Sequence, residues 1–302
     1  MESFSAKILL FGEYALLHNS MGLALPYPKY SGKLVVPAVG SISVPSQMQS
    51  NSIIKKLAIE ISHHEALGSN EKTSNLLEDA LLGMYFDSTI PTSYGVGSSG
   101  ALVAAIYDRY YYPTPTVQIT DNQKLTQIKH DLAQLESFFH GKSSGTDPLV
   151  SYLNTPLILN SPNNHFKFQL PSSLKVFLID TGKKSLTKDF VQLFDDKLDK
   201  NPQLLKTLIK KNNDSINTIL EDNPNCFDVI NDFCDFEYEF LSEMFYYTNT
   251  LSKLREKHKL NLAIKLCGSG GGGFLLGFAK NEAYKDIEGD FLRNNIPFEY
   301  LV

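Results

Sequence analysis

Five of the six residues from Gly268 to Gly273 are glycine, and they stand between two short apolar runs, Ala263–Leu266 and Phe274–Phe278. A helix or strand interior is a poor home for such a run, because glycine loses more backbone freedom on ordering than any other residue. The segment reads as the tip of a hairpin with buried strands for arms. A second glycine-rich stretch, Gly95-Val-Gly-Ser-Ser-Gly100, has the opposite context, since it runs into the apolar helical segment Ala101-Leu-Val-Ala-Ala-Ile106. One glycine loop joins strand to strand and the other opens a helix.

The rest of the chain mixes strands and helices without regular βαβα alternation. Ala6–Phe11, Asp87–Ile90, Lys175–Asp180 and Phe298–Val302 are expected as strands, and Lys33–Val36 with Ser41–Val44 as a hairpin or meander. Helices are expected over Ile53–Ile61, Asn75–Met84, Ser98–Tyr111, Leu125–Phe139, Thr187–Lys210, Ser215–Glu221, Phe227–Lys257 and Asn281–Asn294. The 302 residues suit two cores, and the polar stretch Ser161-Pro-Asn-Asn-His165 reads as their connection. The expectation is an α+β protein of two domains, 1–165 and 166–302.

Composition narrows the function classes. The chain is 42% hydrophobic and 20% charged, which are globular values. A net charge of −5 gives no reason to expect a nucleic-acid or membrane-surface partner. No apolar run reaches the roughly 18 residues of a membrane span. Three cysteines make no disulfide framework, and Cys226 and Cys234 have no zinc-like spacing. The opening Met-Glu-Ser-Phe-Ser-Ala-Lys lacks the pattern of a secretory signal, so a cytoplasmic protein is expected.

Both glycine loops match G-x-G-x-x-G, yet neither fits a dinucleotide fingerprint. Asp121 has about the right spacing from the first but follows Pro113 and Pro115 in a loop, and the second is followed by a strand. Gly100 is followed by Ala101-Leu102 rather than the Lys-Ser/Thr of a Walker loop, and the HRD and DFG tripeptides are absent. At the first loop, Ser98 and Ser99 stand where a helix begins. Their amides and hydroxyls beside the positive end of the dipole suit a phosphate, while a plain tight turn with a serine cap would have the same residues.

Four segments together carry a resemblance. They are Lys7-Ile-Leu-Leu-Phe-Gly-Glu13-Tyr14, then Pro91-Thr-Ser-Tyr-Gly-Val-Gly-Ser-Ser99, then Glu136-Ser-Phe-Phe-His-Gly-Lys-Ser-Ser-Gly-Thr-Asp147, and Lys265-Leu-Cys-Gly-Ser-Gly-Gly-Gly-Gly273. In this order and at these separations they resemble the GHMP kinase superfamily, most closely its mevalonate kinases. Tyr14 stands where that family has His, Ser93 where it has a loop glycine, Gly100 where it has Ala, and Cys267 where Thr is common.

The resemblance implies an α+β fold with an N-terminal phosphate-loop domain and a C-terminal ferredoxin-like domain, ATP and substrate binding in the cleft between them. It implies Asp147 as catalytic base and Lys7 beside it, stabilising developing negative charge. Ser99 and Glu136 would hold Mg²⁺, and Gly95, Gly97, Ser98 and Ser99 would hold the ATP phosphates. Glu13, Tyr14 and Thr187 would lie near the substrate. The activity implied is ATP-dependent phosphorylation of the primary hydroxyl of mevalonate to 5-phosphomevalonate, a step of isoprenoid biosynthesis, by a monomer or homodimer. Two alternatives stand beside it: a phosphomevalonate kinase, for which Lys29, Lys142, Lys183 and Lys184 are candidate phosphate-neutralising groups, and a catalytically silent ligand sensor.

Overall fold

The computed structural model describes residues 2–38, 40–63, 71–111, 122–141, 143–161, 169–185 and 190–301. They fall into two compact units that do not follow a single cut in the chain. One comprises 1–7, 26–91 and 97–155, and the other 8–25, 92–96 and 156–302. The connection expected around Ser161–His165 lies largely outside the described residues.

The first sheet holds β1 (Phe4–Phe11), β2 (Gly22–Val35), β3 (Tyr85–Ser88) and β4 (Leu157–Leu159). Its order is β1-β2-β3, with β4 also pairing β2. β2 is antiparallel to β3 through Gly32–Val35 and to β4 through Gly22–Ala24. The sequence pointed instead to a local hairpin of 33–36 with 41–44. Lys33–Val35 in fact pair with the distant Tyr85–Asp87, and 41–44 lead into helix α1 (Pro45–Ser62), where Pro45 opens the first turn with its φ already helical. The first half of β2 contains Pro26 and Pro28, which interrupt a strand pattern and hide this strand in the sequence.

The first unit holds α1 together with α2 (Glu71–Leu81), α3 (Ser98–Ile106), α4 (Asn122–His140) and α5 (Thr146–Leu153). The expected helix to Tyr111 changes at Tyr107 into a wider π-helical turn. Helix α3 is buried from Gly100 to Ile106, so it forms the unit's core rather than an amphipathic rim.

The second unit carries β5 (Leu174–Asp180), β6 (Leu262–Leu266), β7 (Phe274–Lys280) and β8 (Phe298–Tyr300) in an antiparallel sheet of order β6-β7-β5-β8. Four helices, α6 (Phe190–Lys200), α7 (Gln203–Leu220), α8 (Cys226–Phe240) and α9 (Asn249–Lys257), precede β6, and α10 (Tyr284–Arg293) precedes β8. Taking those four helices as one crossover, this is the split βαββαβ, ferredoxin-like arrangement. Its core includes Phe11 between Phe233 and Phe278, with ring centroids 5.6 and 5.5 Å away.

Helical boundaries differ from expectation at three places, for identifiable reasons. Asn201-Pro202 separates α6 from α7, since proline has no N–H and disfavours helical backbone before it. The polar run Lys210–Asp214, which looked like a break, lies inside α7: Asn212 is buried and donates to Ser20 Oγ at 2.9 Å and to the Met21 carbonyl at 2.8 Å. The segment expected as one helix to Lys257 restarts at Thr248, whose hydroxyl caps α9 by accepting from the Leu251 N–H at 3.1 Å.

Candidate active site

In the first unit, Lys7 sits on β1 with its side chain buried, and its Nζ lies 2.8 Å from Oδ2 of Asp147. Asp147 is in the first turn of α5, where a carboxylate also faces the positive end of the helix dipole. Its side chain keeps 34% of its surface exposed, so it remains accessible from solvent.

The route taken by Lys7 explains a glycine. Gly97 has φ 74° and caps α3, and a β-carbon on it would fall 2.7 Å from the Lys7 Cγ. The position needs both left-handed backbone and empty space. Gly100 lies as close to α5: a β-carbon there would come within 2.9 Å of the Asp147 backbone. That contact accounts for glycine where the family has alanine. Ser98 and Ser99 form the first residues of α3, with their backbone N–H groups at the end that attracts anions.

Glu136 is buried on α4, and Ser143 Oγ donates to its Oε2. Burial, and then the negative charge on Asp147, push its carboxyl up to about 7 against the opposing effects of Ser143 and Lys7. A divalent cation at Glu136 would relieve both causes. The oxygen donors Glu136 and Ser99 suit Mg²⁺, a hard ion usually held by one or two carboxylates with waters and substrate phosphates. Among the described residues no group of three or more His, Cys, Asp or Glu gathers.

Glu13, Tyr14 and Gly95 belong to the second unit. The Glu13 carboxylate is buried, 2.6 Å from the Lys265 Nζ. Tyr14, with φ 61°, stacks on Phe194 at 4.9 Å and donates from its hydroxyl to the Ser269 carbonyl at 2.6 Å. A β-carbon on Gly95 would lie 2.2 Å from the Cys267 carbonyl oxygen, so the two glycine segments meet backbone against backbone here. Ser93, standing where the family has glycine, takes the left-handed φ of 65°, and its carbonyl accepts from the Ser185 N–H at 2.9 Å. Lys183 is placed over the Tyr246 ring at 4.5 Å. Lys29 lies over the Tyr30 ring in the first unit. Thr187 and Lys142 lie outside the described residues.

Sequence reasoning assigned no role to Ser143, Lys265 or Glu237. Ser143 lies inside the segment Glu136–Asp147 and Lys265 opens the segment Lys265–Gly273. Glu237 had a signal of its own, a carboxylate on the apolar stripe Ile230, Phe233, Cys234, Phe240 of α8.

No protein-family model matches the sequence, and no curated protein matches it. Solved structures do match. The mevalonate kinase of Methanococcus jannaschii superimposes with a TM-score of 0.64 at 14% identity, over 99% of this chain and 96% of that one. A Streptococcus pneumoniae phosphomevalonate kinase, in complex with phosphomevalonate and AMPPNP, gives 0.68 at 13% identity over 99% of both chains. A Lactococcus lactis galactokinase complexed with galactose gives 0.63 at 12% identity, over 99% of this chain and 92% of that one. With a ferredoxin-like sheet in one unit and a glycine-opened helix in the other, this chain has the two-domain α+β fold of the GHMP kinases.

Proposed function

We propose that this protein is an ATP-dependent kinase that phosphorylates the primary hydroxyl of mevalonate to 5-phosphomevalonate. The observation that carries the reading is the Lys7–Asp147 pair at 2.8 Å, in the same compact unit as the α3 N-terminus and the buried Glu136. Phosphoryl transfer needs an aligned hydroxyl, a place for its proton and positive charge at the phosphates. Asp147 accepts the hydroxyl proton at its carboxylate, and Lys7 meets negative charge developing nearby. The amides at Ser98 and Ser99 hold the phosphates, and the left-handed backbone at Gly95 and Gly97 shapes the loop that leads to them. Mg²⁺, where bound by Glu136 and Ser99, supplies charge neutralisation on the phosphate oxygens.

The acceptor is inferred from charge. Phosphomevalonate brings roughly two more negative charges than mevalonate and needs a committed cationic cluster. The four motifs contain no arginine, and Lys7 is engaged with Asp147. An ADP-release assay over mevalonate, phosphomevalonate, galactose and homoserine tests the reading. We expect kcat/KM for mevalonate to exceed that for phosphomevalonate more than about tenfold, equivalent to about 1.4 kcal/mol. A preference for the phosphorylated compound makes it a phosphomevalonate kinase, and ATP binding without turnover of any acceptor makes it a ligand sensor.

A further inference from the structure

The second unit contains a buried charge cluster that the chemistry above does not use. Lys265 Nζ donates to Glu13 Oε2 at 2.6 Å and to the Leu266 carbonyl at 2.6 Å. Glu237 Oε2 accepts from the Leu266 N–H at 2.9 Å, and Glu13 Oε1 accepts from the Gly268 N–H at 3.3 Å. Three buried ionisable side chains thus grip three backbone groups at the base of the 268–273 hairpin. That base in turn bears on the other glycine loop, since a β-carbon on Gly268 would lie 2.9 Å from the Gly95 Cα. No side chain cushions this contact, so a shift at Leu266–Gly268 is passed directly to Gly95.

Two carboxylates face one ammonium, leaving one negative charge in excess. Burial first, and then Glu13, push the Glu237 carboxyl up to about 7, opposed by Lys265 and the Leu266 amide. The other titratable groups around it are Tyr14 after β1, Cys234 on α8 and Tyr247 ahead of α9, with Arg255 on α9 acting on the last two. Burial drives all three of those hydroxyl and thiol groups upward, so they stay protonated while Glu237 titrates.

We propose that Glu237 is a positioning residue that sets the base of the 268–273 hairpin through the Leu266 amide and Lys265, and through that base the Thr92–Val96 segment leading to the phosphate-binding end of α3. The phosphate role of that segment rests on the function proposed above; the coupling within the second unit does not.

The test uses the full chain with ¹⁵N-labelled leucine and glycine, followed from pH 5.5 to 8.5. The Leu266, Gly268 and Gly95 amide resonances should shift together with one midpoint, about 7. Glu237→Gln should abolish that titration, while Glu136→Gln, whose carboxyl is raised to a similar value, should leave it in place. In steady-state assays at pH 8, Glu237→Gln should change KM for ATP by at least about threefold and kcat by less than about twofold. Titration at Leu266 alone, or lowered stability with KM unchanged, overturns the proposal and leaves Glu237 a buried counter-charge. If no acceptor is turned over, the kinase reading falls, and the three amides decide the coupling by themselves.

Discussion

Lys7 reaches the carboxylate of Asp147 at 2.8 Å by running past Gly97, on which a β-carbon would stand 2.7 Å from the Lys7 Cγ. A strand, a helix cap and the first turn of a second helix therefore meet at one ion pair, and substitutions at each have distinct consequences.

Asp147→Asn is expected to keep nucleotide binding and lower kcat by at least about 10²-fold, the lower end of general-base contributions. Steady-state kinetics beside a nucleotide titration check this. Turnover near wild type would remove Asp147 from the mechanism.

Gly97→Ala places an L-residue at φ 74° against the Lys7 side chain. The left-handed backbone alone costs about 1–2 kcal/mol, and the displaced Lys7 should lower kcat by about tenfold or more. Thermal unfolding and kcat are read on the same preparation, and an unchanged kcat would show that Lys7 needs no exact placement.

Glu136→Gln should raise the Mg²⁺ concentration for half-maximal rate, and Ser99→Ala should raise it less, since a hydroxyl brings no net charge. With the Glu136 carboxyl at about 7 in the metal-free chain, Mg²⁺ binding must displace its proton below that pH. The half-saturating concentration should therefore rise about tenfold per unit of acidification there. A pH-independent Mg²⁺ titration would dissociate Glu136 from the metal.

Folding stability should carry the same signature with a definite sign. Glu136 and Glu237, raised from 4.5 to about 7, bind protons in the fold that the unfolded chain has released. Stability of the metal-free protein should fall as pH rises between those values and level off above, by at most about 1.4 kcal/mol per pH unit per group. Denaturant unfolding at several pH values measures the slope, and Glu237→Gln should reduce it.

Lys265→Met leaves the Glu13 and Glu237 carboxyls without their buried counter-charge. Breaking such a pair costs about 3–5 kcal/mol. Adding Glu13→Gln should recover part of the loss, and a melting temperature unchanged from wild type in the single variant would rule out this role.

Local signals were legible where one segment holds all the information. Gly97-Ser98-Ser99 ahead of an apolar run predicts a helix start, and α3 begins at Ser98. The apolar runs around Gly268–Gly273 predict two strands, and β6 and β7 pair there. Where the partner is remote, local reading failed: Lys33–Val35 carry strand character, but nothing near them names Tyr85–Asp87 as their partner.

The sequence by itself determined the glycine loops, the order of the four motifs and the α+β class, because turn chemistry and side-chain periodicity act over a few neighbouring residues. Only the tertiary structure decided which charges are buried and what they face. The sequence puts Glu136 in a motif and Glu237 on an apolar helix stripe but gives neither its surroundings; burial and the charges brought near from Asp147 and Glu13 raise both to about 7. Lys265 is likewise one of many lysines until the fold encloses it and sets it 2.6 Å from Glu13, 252 positions away along the chain. Electrostatic energy depends on distance and dielectric in three dimensions, and neither is written in the spacing of residues along the chain.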